Sequence, residues 1–247
     1  MKVTKDEGII IETIAMQRAD ILVIFFSKDF GIMKGIAEGA RKVKSRFGGC
    51  FELLNYVMIN YFHKENEELV RINECELKSS IISKEMEEEY YYAIFYIAEL
   101  IREFGTSSKN TKLFDIIRSV HYGLKGMVNL SLLVRWYELQ LLNEHGSLLL
   151  SEQCIKCKRR IVNLKYLGIE GGIKCDRCAD KRDIKLPEKI FILMNKLLCA
   201  KIEEFNRIVI DDSSLKVAGK ISKLLIEHCL EKPLRFYEFY KQVKERK

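Results

Sequence analysis

Residues 154–178 read CIKCKRRIVNLKYLGIEGGIKCDRC and contain two Cys-x-x-Cys pairs separated by seventeen residues. This spacing is typical of a zinc ribbon, in which each pair donates two thiolates to one tetrahedral ion. A redox motif would place one pair at the start of a helix in a βαβ unit, and the surrounding sequence lacks that context. The pattern therefore predicts one structural zinc ion per chain. Its four predicted ligands are Cys154, Cys157, Cys175 and Cys178.

The sequence also indicates the redox compartment. Its first residues, MKVTKDEGIII, include an acidic pair and no small-residue cleavage site, so they do not resemble a signal peptide. No uninterrupted apolar run is long enough to span a bilayer. We therefore expect a cytoplasmic chain in a reducing environment, where paired cysteines bind metal rather than form disulfides. The remaining cysteines are isolated and are expected to be small buried residues: Cys50, Cys75, Cys199 and Cys229.

Positive charge is concentrated in the cysteine-rich segment of this 247-residue chain, whose net charge is +7. Residues 151–185 contain ten Lys and Arg against five Asp and Glu, whereas residues 1–80 contain twelve of each kind. A zinc ion with four thiolates has a net charge of minus two, so about three positive charges remain in the segment. This asymmetry indicates a polyanionic partner, with a solvated basic surface as the alternative.

The first eighty residues have the pattern of a small β-barrel. Five runs rich in Ile, Val, Phe and Tyr are separated by Gly or charged turns. The runs are GIIIETIA, ADILVIFFS, GIMKGIAEG, CFELLNYVMINYF and ELVRINECEL. Five strands in this length favour a barrel of the OB type, and an SH3-like barrel is the alternative.

From about Ser83 the hydrophobic period changes to that of a helix. The first predicted helix carries one apolar stripe, formed by Tyr91, Ile94, Phe95, Ala98 and Ile101. Further helices are predicted over residues 110–123, over residues 129–146 with a cap at Gly146, after Pro187, and after a serine cap in SSLKVAGK. We therefore predict an α+β protein, with an OB-type domain at residues 1–80 and a helical domain at residues 81–247. A zinc-binding module at residues 151–185 interrupts the helical domain.

A basic loop is predicted where GARKVKSR follows the third strand. Exposed cations on a loop between two strands can contact phosphates, and a charged turn that keeps the barrel soluble is the alternative. The predicted DNA-binding residues are Lys34, Arg41, Lys42, Lys44 and Arg46 on the barrel, with Lys156, Lys158, Arg159 and Arg160 on the ribbon. Aromatic residues nearby could stack on bases but are expected to be core: Phe25, Phe26, Phe47 and Phe51.

Sequence signatures of enzymes are missing. The chain contains no Gly-rich phosphate loop ending in Lys-Ser or Lys-Thr, no His-Glu-x-x-His and no Gly-x-Ser-x-Gly. Its histidines are scattered and are expected to be surface or packing residues: His63, His121, His145 and His228. We therefore expect a protein that is not an enzyme.

The order of three sequence features resembles the bacterial RecO family of recombination mediators. The opening pattern comprises Gly8, Ile9, Ile10, Thr13, Asp20, Phe30, Gly31, Gly39, Ala40, Arg41, Lys42, Lys44 and Ser45. The stretch RWYELQLLNEHG, followed closely by CIKC, is similar to that family's helix leading into its zinc module. The stretch KLLIEHCLEKPLRFYEFY resembles its closing helix and tail. The chain departs from the family at Val43, where proline is common, and at Cys50 and Phe51.

The resemblance implies an N-terminal OB barrel, a helical C-terminal domain and an inserted zinc ribbon. It also implies a non-catalytic protein of the bacterial cytoplasm and nucleoid that binds single- and double-stranded DNA and anneals complementary strands. With RecR, such a protein helps RecA displace single-strand-binding protein during repair. The competing hypothesis is a zinc-ribbon adaptor that binds RNA or a protein in transcription or translation.

Overall fold

The structure, a computed structural model, describes residues 2–63, 69–82, 86–162, 164–208 and 210–237. Five N-terminal strands come first, and helices with a small second sheet follow, so the α+β prediction is confirmed. The chain divides into two compact units, which are described separately. The first comprises Met1–Met127 and Arg235–Lys247, and the second comprises Val128–Leu234.

The five strands of the first unit form a closed barrel in the order β1-β2-β3-β5-β4, in which β4 pairs back with β1. Their bounds are β1 Lys2–Ala15, β2 Ile21–Ser27, β3 Gly31–Ala37, β4 Tyr56–His63 and β5 Leu69–Ser79. Strands β3 and β5 run parallel, and the other four pairings are antiparallel. The fourth strand begins six residues after the start of the predicted run, because residues 50–55 form turns.

Strand β1 has 14 residues, so it can pair with its two neighbours along different parts of its length. Its first half pairs with β4 and its second half with β2. The register with β2 shifts between Ile10 and Glu12, so Ile11 is the extra residue of a β-bulge. The Leu54 N–H donates to the Ile10 carbonyl oxygen (2.8 Å), and the Ile10 N–H donates to the Asn55 carbonyl oxygen (3.0 Å). These bonds attach the β3–β4 connection to the strand at the bulge.

Aromatic and branched side chains fill the barrel. Phe25 packs on Tyr61 with ring centroids 6.0 Å apart, and both side chains are fully buried. Phe26 lies on the outer side, stacked on Phe114 with centroids 6.5 Å apart. Phe47 is also buried. The prediction that these phenylalanines are core residues is therefore confirmed for Phe25, Phe26 and Phe47, whereas Phe51 is partly exposed.

Five helices follow the barrel in the described residues: α1 Glu88–Phe104, α2 Thr111–Lys125, α3 Leu130–Glu144, α4 Glu188–Cys199 and α5 Asp212–Leu230. The predicted stripe of α1 is partly wrong. Ile94, Ala98 and Ile101 are buried as predicted, but Tyr91 and Phe95 are exposed because the buried face is centred on the Ile94–Ile97–Ile101 row. None of these helices combines the length and apolar character needed to cross a membrane.

Helix ends agree with the sequence at some positions and correct it at others. Gly146 adopts a φ of +79° after α3, and the Ser147 N–H donates to the Leu142 carbonyl oxygen (2.8 Å), which confirms the predicted cap. The predicted serine cap of α5 is wrong. Asp211 caps this helix by accepting the Ser214 N–H at 2.9 Å, and its negative charge also suits the helix N-terminus.

The helix predicted after Pro187 is shorter than the sequence pattern indicated. Helix α4 ends at Cys199, and a separate 3₁₀ turn covers Ile202–Arg207. Side chains of α3 bind the end of α4. The Trp136 indole N–H donates to the Ala200 carbonyl oxygen (3.0 Å), and the Gln140 amide donates to that of Leu198 (2.9 Å). These tertiary hydrogen bonds satisfy carbonyl groups that a longer helix would otherwise use.

The segment between α3 and α4 forms a small antiparallel sheet in the order β7-β6-β8. Its strands are β6 Lys165–Leu167, β7 Ile173–Cys175 and β8 Ile184–Leu186. Each strand has three residues, so the sheet is too small to bury a core of its own.

The turn between β2 and β3 requires glycine at position 31. Gly31 has a φ of +72°, and a Cβ there would lie 2.1 Å from the Thr106 carbonyl oxygen. Gly48 also has a positive φ, +49°, but a Cβ there would meet nothing within 4 Å.

We predict that Gly48→Ala lowers the free energy of unfolding by about 1 kcal/mol, the cost of the left-handed conformation. Gly31→Ala should lower it by at least about 2 kcal/mol, because the steric term is added. Urea unfolding of both variants measures the difference, and equal losses would contradict this account of Gly31.

Candidate metal centre and nucleic-acid interface

The four paired cysteines come together in the second unit. Their Sγ atoms all lie within 4.8 Å of one another, and the Cys157 and Cys175 Sγ atoms are 3.8 Å apart. A tetrahedral ion with metal–sulfur distances of about 2.3 Å requires sulfur–sulfur separations of about 3.8 Å. All four cysteines are free thiols. The cluster therefore has the composition and spacing to hold one metal ion.

Two tight turns bring the thiols of each pair to the same side. In the first, the Lys158 N–H donates to the Cys154 carbonyl oxygen (2.8 Å), and Lys158 adopts a left-handed φ of 60°. In the second, the N–H groups of Cys178 and Ala179 donate to the Cys175 carbonyl oxygen at 3.0 and 2.9 Å. Strand β7 ends at Cys175, so the sheet itself fixes the position of the second turn.

Hydrogen bonds around Cys154 favour its thiolate form. Burial raises the pKa of this thiol, but backbone N–H groups of Cys157, Cys175 and Lys156 lower it to about 6. Metal ligands must be deprotonated. The backbone therefore favours the thiolate form of Cys154, whereas hydrogen bonds to the Cys175 and Cys157 sulfurs raise the pKa of Cys178, so Cys154 loses its proton before Cys178 does.

A buried ion-pair cluster supports the same sheet. Lys174, next to Cys175, is only 2% exposed, and its Nζ lies 2.7 Å from Glu170 and 2.8 Å from Asp183. Burial alone would lower the pKa of Lys174, but hydrogen bonds to Asp183 and Glu170 raise it, so the ammonium form is kept.

Gly171 has a φ of +84°, and a Cβ there would lie 1.8 Å from the Ser147 carbonyl oxygen. The β6–β7 turn therefore requires glycine at this position.

On the barrel, the predicted cations are exposed, as an interface requires. Arg41, Lys42, Lys44 and Arg46 all lie in the connection between β3 and β4. Lys34 is exposed on β3, and the neighbouring Gly35 faces the barrel interior. The Arg46 guanidinium lies 4.9 Å from the centroid of the buried Phe47 ring. Phe47 belongs to the barrel core, so its burial attaches this end of the basic loop, and the cation–π contact holds the Arg46 guanidinium over the ring.

At its other end, the basic loop is bonded to the β1–β2 connection. The Gly39 N–H donates to Asp20 Oδ1 (2.7 Å), and the Arg41 N–H donates to the Ala19 carbonyl oxygen (2.9 Å). The connection also contains Arg18, which is exposed and has a left-handed φ of 57°. Sequence reasoning did not select Arg18, because one arginine in a short turn forms no recognisable pattern. Only the hydrogen bonds between the two loops in the folded chain show that Arg18 lies in a turn bonded to the basic loop.

The predicted ribbon cations lie on and beside the first cysteine turn. Lys156, Lys158, Arg159 and Arg160 are exposed, and Arg160 pairs with Glu152 at 3.4 Å. The ribbon set belongs to the second unit and the loop set to the first. Whether either set binds DNA stays a prediction.

The isolated histidines and cysteines have mixed outcomes. His121 is buried, its Nδ1 lies 2.8 Å from the Leu54 carbonyl oxygen, and burial lowers its pKa, so it is a packing residue as expected. His145 is exposed, as expected of a surface residue, and the His63 side chain is outside the described residues. Cys50 is buried as predicted. The prediction is wrong for Cys199, because the last residue of α4 faces solvent.

Comparison with known proteins identifies the family. Residues 1–81 match the family described as "Recombination protein O N terminal", and residues 88–238 match "Recombination protein O C terminal". The chain belongs to the recombination protein O family. The two matches together cover the barrel, the helices and the cysteine-rich sheet.

Proteins similar to this recombination protein O family member cover it from end to end. A protein of Caldanaerobacter subterraneus subsp. tengcongensis is 27% identical, with 97% of this chain and 98% of the relative aligned. One of Acetivibrio thermocellus is 26% identical, with 98% and 97% aligned. One of Caldicellulosiruptor bescii is 20% identical, with 98% and 99% aligned. Each of the three is named "DNA repair protein RecO".

The geometry of the cluster predicts one metal ion per chain. The double variant Cys175→Ser/Cys178→Ser removes one complete cysteine turn, so its metal content should fall from about one equivalent to near zero. Cys199→Ser is the matched control, because Cys199 lies outside the cluster, and it should keep the metal. Elemental analysis for zinc and iron, on protein purified without chelators, measures both. Full metal content in the double variant would show that these cysteines are not the ligands.

Proposed function

We propose that this chain is a non-catalytic DNA-repair protein that binds single- and double-stranded DNA and anneals complementary strands. The observation that carries the proposal is the exposed cationic loop of Arg41, Lys42, Lys44 and Arg46, fixed at both ends on a small barrel. The relatives named "DNA repair protein RecO" support the same role.

We assign the barrel to the OB type. Its order, in which β1 pairs with both β2 and β4 and β3 lies parallel to β5, supports this assignment over an SH3-like barrel. OB barrels bind oligonucleotides with the face of strands 2 and 3 and with the β1–β2 and β4–β5 loops. Lys34 on β3 and the β1–β2 connection occupy these places here.

We assign zinc to the four-cysteine cluster. Four thiolates in a tetrahedral arrangement select zinc or an iron–sulfur cluster, and two knuckle-like turns in a small ribbon suit a single zinc ion. Four protein ligands leave no position for water or substrate, so the ion would stabilise the ribbon and take no part in chemistry. The exposed cations of the ribbon would then lie beside a metal centre whose net charge is minus two.

Annealing requires no covalent chemistry, which agrees with a protein that is not an enzyme. Two polyanionic strands must be held close while their mutual repulsion is screened. Lysine and arginine side chains that contact phosphates do this with little base preference. The exposed loop can approach the backbone of a strand without burying unpaired charge.

The proposed cellular role follows the family. Acting with RecR, the protein would help RecA displace single-strand-binding protein from DNA in the bacterial cytoplasm, in association with the nucleoid. Binding to RecR and to single-strand-binding protein would bring the cationic surfaces to coated DNA.

The loop assignment predicts a selective loss of DNA binding. Changing Arg41, Lys42, Lys44 and Arg46 together to alanine should weaken single-strand binding and slow ATP-independent annealing of two complementary oligonucleotides. The melting temperature should change little, because exposed substitutions alter stability by less than about 0.5 kcal/mol each. A matched control removes the same charge from exposed helix and turn positions: Lys196, Lys201, Lys216 and Lys220 to alanine. Annealing at the original rate by the loop variant would show that the DNA surface lies elsewhere.

A ribbon variant compares the two basic groups. Changing Lys156, Lys158, Arg159 and Arg160 to alanine should cost less affinity than the loop variant, because the OB barrel is the part with a known geometry for single strands. Zinc content must be measured in parallel, since these residues surround the first cysteine turn. If wild-type protein does not accelerate annealing at all, the zinc-ribbon adaptor becomes the better hypothesis.

Phosphate-dominated binding also predicts a steep dependence on salt. If four phosphates of a single strand are neutralised, the slope of log affinity against log salt concentration should be about −3. Fluorescence anisotropy of a labelled oligonucleotide over a series of salt concentrations measures the slope. A slope near zero would exclude phosphate contacts as the main source of affinity.

A further inference from the structure

The β1–β2 connection has an unusual backbone for its sequence. Arg18 and Ala19 are consecutive and both adopt left-handed conformations, with φ of 57° and 66°. Glycine is the residue that adopts this conformation without strain, yet neither position is glycine. Strained backbone of this kind persists where the surrounding structure holds it, and such positions cluster at functional sites.

The strained turn presents three acceptors to the basic loop. The Ala19 carbonyl oxygen accepts the Arg41 N–H (2.9 Å), and the Met16 carbonyl oxygen accepts the Arg41 guanidinium (3.4 Å). Asp20 Oδ1 accepts the Gly39 N–H at 2.7 Å. The turn itself is closed by the Met16 N–H, which donates to the Asp20 carbonyl oxygen at 2.9 Å.

Gly39, whose N–H donates to Asp20, also contacts the side chain of Lys42. Gly39 has a φ of +67°, and a Cβ on it would lie 3.2 Å from Lys42 Cδ and 3.3 Å from Lys42 Cε. The aliphatic stem of Lys42 therefore lies across Gly39. The Lys42 N–H donates to the Gly39 carbonyl oxygen at 3.1 Å, so the backbone at Lys42 depends on Gly39 as well.

We infer that Asp20 is a positioning residue, which fixes the basic loop through Gly39 so that Lys42 and its neighbours are presented to the phosphates of a DNA strand. This inference rests on the proposed function. A carboxylate is otherwise a poor choice beside a phosphate-binding loop, because its negative charge repels the ligand. Its hydrogen bond to the Gly39 N–H is the contribution that offsets this repulsion.

The negative charge of Asp20 and its positioning role predict opposite effects of a substitution on DNA affinity, so binding measurements can separate the two. If Asp20 acted only as a negative charge, Asp20→Ala would strengthen DNA binding. If it positions the loop, Asp20→Ala should weaken binding of a labelled oligo-dT strand by up to about tenfold, because DNA binding must then order a loop that the hydrogen bond orders in wild type. The salt slope should also become less negative by about 0.7 for each phosphate that the displaced loop no longer neutralises.

Two further variants make the test specific. Asp20→Asn keeps an acceptor oxygen for the Gly39 N–H and removes the charge, so it should bind at least as tightly as wild type. Glu38→Ala is the matched control. Glu38 directly precedes Gly39 and pairs with Arg71 at 2.8 Å, so removing it takes away a negative charge and should strengthen binding.

Hydrogen exchange gives a measurement that does not depend on DNA. Peptides covering residues 38–46 should exchange faster in Asp20→Ala than in wild type or Asp20→Asn, because the Gly39 N–H loses its acceptor. Binding is measured well below the melting temperature of each variant, so that global unfolding does not contribute.

The outcomes separate this inference from the proposed function. Two results would show that the positioning role is wrong while the DNA-binding function stands, provided that wild type binds the oligonucleotide. In the first, Asp20→Ala binds it as tightly as Glu38→Ala does. In the second, Asp20→Ala and Asp20→Asn lose affinity equally. If wild type itself shows no salt-dependent binding, the proposed function is wrong and the positioning role falls with it, whatever the exchange rates.

Discussion

The double pairing of β1 is the constraint on which the first unit depends. A five-stranded sheet has two exposed edges unless its two edge strands pair with each other, and here β1 closes the barrel by pairing with β4 as well as with β2. The bulge at Ile11 also sets the path of the β3–β4 connection, since the Ile10 carbonyl oxygen accepts the Leu54 N–H and the Ile10 N–H donates to the Asn55 carbonyl oxygen. Barrel closure therefore fixes the connection whose first part is the basic loop.

The cysteine-rich sheet solves a different physical problem. Strands of three residues cannot exclude enough water to fold by burial alone, and a metal ion bound by four thiolates would supply the missing cross-link. Around it, the buried Lys174 has two carboxylate partners within 2.8 Å, so its charge is not left unpaired. In both units, the exposed cations lie on turns that backbone hydrogen bonds close, and the hydrophobic core does not require their charge.

Local sequence patterns predicted what local physics determines. The cysteine spacing located the cluster, alternating residues located the strands, and Gly146 located the end of α3. Features that depend on distant partners were not predictable in this way. The end of α4 is set by Trp136 and Gln140, which are about sixty residues away in sequence. The contact between Asp20 and Gly39 likewise depends on tertiary pairing, because it forms beside the end of the β2–β3 pair, where Ile21 lies opposite Ala37.

Why a loop that is proposed to bind phosphates should be held rigidly is not obvious, because contacts with a charged backbone tolerate some displacement. The reason lies in entropy. A mobile loop with four long cationic side chains would lose backbone freedom on binding, and that loss would reduce the affinity. The hydrogen bonds to Asp20, Ala19 and Met16, with the buried Phe47 at the other end, order the loop in the free protein, as the proposed binding would require. The strain at Arg18 and Ala19 then lowers the stability of the fold locally, and other contacts in the barrel offset it. The proposed binding would lose less backbone entropy, because the loop is already ordered.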